Sequence, residues 1–88
     1  MLTKDDVGTL VVREVRSLIF EDSGEEPTVT GGEQMHELAI NSLMLARLLV
    51  QLEEALSVDP FTRGDAEIAD VHSVNDLIAI YERAVTNR

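Results

Sequence analysis

The sequence predicts an all-α fold, a small four-helix bundle made of three long helices and one short helix. Three segments place apolar residues at three- and four-residue steps, the spacing that brings them to one face of a helix. No segment alternates apolar and polar residues for long enough to form a strand. The chain has 88 residues, 44% of them hydrophobic, so we expect a single domain, residues 1–88, with one small core.

The first helix is predicted to end near Glu21, immediately before the turn-forming sequence Asp22-Ser23-Gly24. At its beginning, Thr3 and Asp6 have the spacing of a capping box, in which each of two side chains accepts a hydrogen bond from the other residue's backbone N–H. The buried face of this helix is predicted to consist of Val7, Leu10, Val11, Val15, Leu18 and Ile19.

The second long helix is predicted over residues 42–56 and the third over residues 74–85. Ser73 and Asp76 have the spacing of a second capping box, which supports a helix start at residue 74. The apolar stripe of the second helix is Leu45, Leu48, Leu49, Leu52 and Leu56. That of the third helix is Val74, Leu77, Ile78, Tyr81 and Val85.

Two connections of different character join these helices. Residues 22–41 form a long loop that contains Pro27 and the Gly31-Gly32 pair, and loops of this length are often functional. Residues 57–72 contain the stretch from Asp65 to Ala69, for which we expect one or two helical turns with Asp65 as the N-cap.

Composition and charge exclude several classes of function. The 17 acidic and 7 basic residues give a net charge of −10, which repels nucleic acid and anionic membranes and favours basic protein partners. The absence of cysteine excludes disulfides, zinc–thiolate sites and cysteine nucleophiles. The N-terminal sequence has no apolar signal segment and no apolar run is long enough to cross a bilayer, so we expect a cytoplasmic monomer.

Neither catalysis nor metal binding is expected of this chain. His36 and His72 are the two histidines, and neither has partners at the spacing of a metal site or a catalytic pair. Both have acidic neighbours in the sequence, which an acidic chain produces by chance, so we interpret them as solvated or loosely packed side chains. There is also no glycine-rich phosphate loop that follows a strand.

One site nevertheless has features of a functional site, and it lies at the junction of the long loop and the second helix. Asn41 is a good N-cap residue, so Ser42 is expected at the first helical position, where an attached phosphate would meet the positive end of the helix dipole. Leu43 and Met44 fall outside the apolar stripe and are expected to be exposed, as in a partner-binding surface. Equally, helix ends tolerate such residues, and Ser42 could simply assist the cap.

These residues resemble the acyl carrier proteins and the related peptidyl carrier domains. That family opens its second helix with an aromatic or large apolar residue followed by Leu-Gly-x-Asp-Ser-Leu, and continues into Leu-Glu-Glu. The matching stretches here are Met35-His36-Glu37-Leu38-Ala39-Ile40-Asn41-Ser42-Leu43-Met44 and Leu52-Glu53-Glu54. Residues 57–61 resemble the family's turn after this helix and residues 68–78 its passage into the last helix, so the resemblance covers essentially the whole chain.

The resemblance implies a function and a cofactor. A separate phosphopantetheinyl transferase would move phosphopantetheine from coenzyme A onto Ser42, and the thiol of this arm would carry an acyl or aminoacyl group as a thioester. The other partners implied are the acyl- or aminoacyl-loading enzymes and the synthases. The residues expected to form the partner surface are Asn41, Leu43, Met44, Arg47 and, on the short third helix, Ile68.

Three positions depart from the family's pattern. Asn41 stands where the family usually has Asp, Ala39 where it usually has Gly, and Arg47 where an acidic residue is common. Ala39 would restrict the backbone if that position requires a positive φ. We therefore expect a carrier of polyketide, peptide-hybrid or other specialised biosynthesis rather than one of standard fatty acid synthesis. The alternative is a non-catalytic acidic helical interaction module whose Ser42 is never modified.

Overall fold

The protein is described by a computed structural model, which covers residues 4–25, 27–62, 64 and 66–86. This part of the chain is helical and contains no β-strand; its one isolated bridge pairs Gln34 with Ser73. The helices are α1 (Lys4–Ser23), α2 (Ser42–Leu56) and α3 (Val74–Thr86), with a single 3-10 turn (Ile68–Asp70) between α2 and α3. None of the described helices is both long and apolar enough to cross a membrane.

The three long helices agree with the sequence prediction, whereas the short one is only a 3-10 turn. This turn begins after Glu67, which makes no side-chain capping hydrogen bond, and Ile68 accepts a bond from the N–H of Val71. The predicted cap residue Asp65 lies outside the described residues, as does Thr3 of the first predicted capping box. Helix α3 continues one residue beyond its predicted end, to Thr86.

Helix α1 ends two residues later than predicted, at Ser23, because local interactions extend its last turn. The Ser23 hydroxyl donates a hydrogen bond to the Ile19 carbonyl (2.9 Å). The N–H of Gly24 donates to the Phe20 carbonyl (2.8 Å), and Gly24 has a φ of 78°. A glycine in this left-handed conformation is a common way to end a helix, since it satisfies a carbonyl that would otherwise lack a partner.

The core lies between α1 and the other two helices, with α1 packed against both α2 and α3. Five of the six residues predicted for the α1 face are buried, and Leu10 is half-buried. In α3, Ile80 and Ala84 are buried, whereas Ile78 and Val85 are only half-buried. The fully buried side chains that hold the helices together include Val11, Val15, Leu18, Leu48, Leu52, Leu77 and Tyr81.

The buried face of α2 differs from its prediction at one end. Met44 was expected to be exposed, but it is buried, with 8% of its surface accessible, and Leu45 and Leu49 are half-buried. The buried residues Met44, Leu48, Leu52 and Leu56 follow one another at four-residue steps. Four residues turn a helix about 40° beyond a full turn, so such a row slants around the helix. The buried face therefore reaches Met44, which a straight stripe excludes.

Tyr81 is the one tyrosine of the chain, and α3 places it in the core. Its ring packs at a tilt against Phe61 with a centroid distance of 6.1 Å, and its hydroxyl donates a long hydrogen bond (3.5 Å) to the Leu49 carbonyl. Burial raises the pKa of Tyr81 above its ordinary value, and the negative charges of Asp59 and Glu53 raise it further. The phenol is thus held in its neutral form.

We expect Tyr81→Phe to make the protein resistant to alkali. Because folding raises the pKa of Tyr81, its contribution to stability is fully present below the unfolded pKa of about 10. This contribution is lost as pH rises above that value. Phe keeps the ring and loses one long hydrogen bond, so its stability near neutral pH should change by less than about 1 kcal/mol. Urea unfolding near neutral pH and above about pH 10 measures both effects. Equal alkaline losses in the two proteins would contradict this role.

Candidate functional site

The junction of the long loop and α2 places Ser42 at the start of a well-capped helix. Asn41 has an extended backbone (φ −89°, ψ 179°), and its side-chain oxygen accepts a hydrogen bond from the N–H of Met44 (2.9 Å). Its carbonyl accepts the N–H of Leu45 (2.9 Å), which is the first bond of the helix. Asn41 is therefore the N-cap, as predicted, and the exposed Ser42 is the first helical residue.

The surroundings of Ser42 favour a bound phosphate. No described residue accepts a hydrogen bond from the N–H of Ser42 or of Leu43, which are thus available to an oxyanion. The first turn of α2 contains no acidic residue, although the chain as a whole is strongly acidic. Because these amides also lie at the positive end of the helix dipole, the site suits a negatively charged group attached to the serine oxygen.

Among the described residues, none provides a base for the Ser42 hydroxyl. No side chain in the described part of the chain hydrogen-bonds to it, and both His36 and His72 are exposed. The described residues also contain no group of three potential metal ligands. A serine hydroxyl is a weak nucleophile unless a base activates it.

The turn that precedes Ser42 places Ala39 in a left-handed conformation, with a φ of 58°. The turn is closed by hydrogen bonds from the N–H of Ala39 to the His36 carbonyl (3.2 Å) and from the N–H of Ile40 to the Met35 carbonyl (3.1 Å). Met35 and Ile40 are buried, which fixes the turn against the core. Alanine is strained in this conformation, whereas glycine adopts it freely.

Ala39→Gly should stabilise the protein by about 0.5–1 kcal/mol, because it relieves a left-handed conformation that costs an alanine about 1–2 kcal/mol. The melting temperature should rise by about 4 °C. Ala46→Gly, on the exposed side of α2, is the matched control, and it should instead lower stability by about 1 kcal/mol. Thermal melts of the two variants measure the effects, and a loss of stability in Ala39→Gly would show that its φ is not strained.

Glu33 organises the loop that leads to Ser42, a role that the sequence did not indicate. Its carboxylate accepts hydrogen bonds from the N–H groups of Thr30 (2.9 Å) and Gly31 (2.8 Å) and from the Thr30 hydroxyl (2.8 Å). These bonds, chiefly that from the Thr30 N–H, lower the pKa of Glu33 to about 2. The carboxylate is therefore ionised, and keeps the turn closed, at all but strongly acidic pH.

The same turn is attached to the beginning of α3. The Gly31 carbonyl accepts the N–H of Asn75 (2.8 Å), and the Glu33 carbonyl accepts that of Val74 (3.2 Å). Gly31 has a φ of 111°, and a Cβ atom at this position would collide with the side-chain oxygen of Asn75. These contacts explain the glycine at position 31, and they join the loop before Ser42 to the last helix.

The predicted capping box at the start of α3 is present. The N–H of Ser73 donates to the Asp76 carboxylate (3.1 Å), and the N–H of Asp76 donates to the Ser73 hydroxyl (3.2 Å). The Asp76 carboxylate also accepts the N–H of His72 (3.1 Å). Three amides at the helix start thereby gain partners, and the helix begins at Val74.

The surface beside Ser42 contains exposed apolar residues, though not all of those expected. Leu43 is 73% exposed, as predicted, and Val50, two turns further along α2, is 53% exposed. Met44 is buried and does not belong to this surface. Ile68 is 55% exposed on the 3-10 turn. Val50 was not predicted from the sequence, although it lies seven positions after Leu43 and hence near the same face.

Arg47 lies one turn beyond Leu43 and pairs with Glu21 of α1, with 3.3 Å between the guanidinium Nη2 and the carboxylate Oε2. More than half of each side chain is exposed, so the ion pair contributes at most about 1 kcal/mol. Its main effect is to orient Arg47 toward the end of α1. We name the exposed residues Leu43, Arg47 and Val50 the α2 surface.

Comparisons of the chain with family models, curated proteins and solved structures give no match. Its function must accordingly be inferred from its own residues. The features on which this inference rests are the capped start of α2, the open amides beside Ser42 and the α2 surface.

Proposed function

We propose that this protein is a cytoplasmic, monomeric carrier that holds acyl or aminoacyl intermediates as thioesters on a phosphopantetheine arm attached to Ser42. The single observation that carries this proposal is the position of Ser42. Ser42 is exposed as the first residue of a helix that Asn41 caps. Its backbone N–H and that of Leu43 donate a hydrogen bond to no described residue. The order of three long helices, with a short turn before the last one, supports an acyl-carrier type of bundle.

Attachment of the arm would proceed by phosphoryl transfer. The Ser42 oxygen attacks the phosphorus of coenzyme A that bears the pantetheine group, and the bond from this phosphorus to the adenosine bisphosphate oxygen breaks. The hydroxyl proton passes to a base of the transferase, because no described residue of this chain provides one. The product would be a phosphodiester, and the positive end of the α2 dipole would stabilise its remaining negative charge.

Apart from the Ser42 oxygen, the chain's own residues would hold the arm without taking part in the bond changes. The N–H groups of Ser42 and Leu43 are placed to contact a phosphate oxygen, and Asn41 keeps the helix start in the conformation that presents them. The arm would supply the thiol for the thioester, so the lack of cysteine in the chain is no obstacle. The carrier would be a platform for chemistry that other enzymes perform.

The α2 surface would be recognised by the transferase and by the loading and synthase enzymes. Leu43 beside the serine and Val50 two turns away provide apolar contacts, and a few such residues carry most of the energy of transient binding. Ile68 and Asn41 would extend this contact. Arg47 adds a positive charge to an acidic protein, which suits partners that offer a carboxylate and favours specialised biosynthesis, polyketide or peptide-hybrid, over standard fatty acid synthesis.

A second candidate is a non-catalytic interaction module in which Ser42 is never modified. The exposed Leu43 and Val50 favour it, because they would serve as a binding surface whether or not the serine carries a group. The two candidates differ in one observable property, the covalent mass of the protein after exposure to a transferase.

The test is incubation with coenzyme A and a broad-specificity phosphopantetheinyl transferase, followed by intact-protein mass spectrometry. We expect a gain equal to one phosphopantetheine group. Coenzyme A without the transferase is the control, and it should give no gain, since no described residue provides a base for Ser42. An unchanged mass with several transferases that modify other carriers would overturn the carrier function and favour the interaction module.

A further inference from the structure

A groove of about 480 Å³ lies between α1 and α3. Its apolar floor includes Val12 and Ile78, both half-buried. Gly8 also belongs to the floor: a Cβ atom there would lie 3.7 Å from a methyl group of Ile78, so the small residue leaves the α1 backbone close to that side chain. The described residues that line the groove are Gly8, Thr9, Val12, Arg13, Arg16 and Ile78.

The charge of this groove is opposite to that of the protein. Arg13 and Arg16 are exposed along it, whereas none of its described lining residues is acidic. This is unexpected in a chain with 17 acidic and only 7 basic residues. The guanidinium of Arg13 has no hydrogen-bond or ion-pair partner within the described part of the chain, so the ionic contacts of the fold do not account for its position.

An exposed aromatic residue extends the same face of α1. Phe20 is 53% exposed, and it lies one turn beyond Arg16. Arg16 and Phe20 line a neighbouring depression of about 380 Å³ together with Ser17 and Glu21, whose carboxylate is paired with Arg47. Arginine and aromatic residues are the types most enriched at protein–protein interfaces, and burial of such a ring contributes strongly to binding. The two arginines thus lie between an apolar groove and an exposed phenylalanine.

We propose that this face of α1 binds an acidic amphipathic helix of a partner protein. Thr9, Val12, Arg13 and Arg16 have the i, i+3, i+4, i+7 spacing of the four-residue hole that receives one side chain of a facing helix. An apolar partner residue would fill this hole above Val12 and Ile78. Carboxylates one turn away would meet the arginines, whose planar guanidinium groups bind carboxylates in a bidentate manner.

The charge of the rest of the protein would make this binding selective. An acidic helix is repelled by a surface of net charge −10 except where basic residues are grouped, so it is directed to the groove. None of the groove residues belongs to the Ser42 site or to the α2 surface. This binding is therefore independent of the carrier function and would persist if Ser42 were never modified.

The test is a nuclear magnetic resonance titration of the isotope-labelled full chain with an alanine-based helical peptide that carries a leucine stripe flanked by glutamates. We expect saturable shifts of the Val12, Arg13 and Ile78 amides, and weaker binding at higher salt. The same peptide with glutamine in place of each glutamate is the control, and it should bind about tenfold more weakly. Equal binding of the two peptides, or shifts that map elsewhere, would overturn the proposal.

Charge reversal identifies the arginines responsible. Arg13→Glu should weaken binding of the glutamate peptide about threefold to tenfold, as should Arg16→Glu, or Arg16→Gln if reversal impairs folding. Arg83→Glu is the matched control on α3, because Arg83 is exposed and lines a different depression, with Asp70 and Asp76. It should bind as the wild type does.

Two further measurements separate this proposal from its rivals. Ser42→Ala should bind the glutamate peptide as the wild type does, so a failure of the carrier function would leave this result unchanged. Light scattering of the protein alone should show a monomer at all concentrations. Self-association that Arg13→Glu abolishes would overturn the proposal in favour of a second copy of the chain in the groove. If Arg83→Glu weakened peptide binding as much as Arg13→Glu, the binding would be unspecific charge attraction and the proposal would likewise be overturned.

Discussion

Ser42→Ala will abolish the mass gain on treatment with coenzyme A and transferase, and it will leave the fold intact. The hydroxyl is the proposed nucleophile, so its removal leaves no atom for the phosphorus to bond. The side chain is exposed and makes no hydrogen bond to a described residue, while the Asn41 cap does not involve it. The free energy of unfolding should therefore change by no more than about 0.5 kcal/mol.

Intact-protein mass spectrometry and a thermal melt followed by circular dichroism measure the two effects together. Ser17→Ala is the matched control, because Ser17 is an exposed serine within α1, and this variant should gain mass as the wild type does. Modification that persists in Ser42→Ala would move the attachment site to another residue. Loss of the fold in Ser42→Ala would show that the hydroxyl stabilises α2, contrary to its exposure.

The start of each of the last two helices could be predicted because helix caps are local. Asn41 bonds to Met44, and Ser73 bonds to Asp76, each three residues away, so the residue types alone identify the geometry. The same applies to the exposure of Ser42, which follows from its place as the first residue after a cap. These local features include the position on which the proposed function depends.

What could not be predicted depends on contacts between distant segments. The bond between Gly31 and Asn75 joins residues 44 positions apart, and nothing near Gly31 in the sequence indicates its partner. The same holds for the pairing of Glu21 with Arg47 across two helices. The short length of the 3-10 turn depends less on distant contacts. Ile68 and its neighbours are exposed, and they provide too little apolar surface to hold a longer helix.

Met44 and Leu43 illustrate that core packing, rather than a straight apolar stripe, determines which residues of α2 are buried. Both residues lie outside a straight stripe through Leu45 and Leu52, and both were predicted to be exposed. The core follows a slanted row of four-residue steps instead, which takes in Met44 and leaves Leu43 73% exposed. Two adjacent residues therefore belong to different structures, one to the core and the other to the α2 surface.

We expect Met44→Ala and Leu43→Ala to have opposite consequences. Met44→Ala removes buried atoms and leaves a cavity, so it should destabilise the protein by about 2 kcal/mol or more and lower the melting temperature by about 10 °C. Leu43→Ala removes atoms that are already in contact with water, so its stability should remain within about 0.5 kcal/mol of the wild type. Alanine also favours the helix, which limits any loss at either position.

The loading reaction should reverse this order. Leu43 lies beside the serine on the α2 surface, where a lost apolar contact typically weakens binding by about 1 kcal/mol or more, so Leu43→Ala should slow transfer by the phosphopantetheinyl transferase about fivefold to tenfold. Met44→Ala, measured well below its melting temperature, should load at close to the wild-type rate because the buried Met44 does not belong to the α2 surface. Initial rates from mass spectrometry, alongside urea unfolding of each variant, separate the two effects. If Leu43→Ala were as unstable as Met44→Ala, or loaded as fast as the wild type, Leu43 would have no part in recognition and the α2 surface would be reduced to Arg47 and Val50.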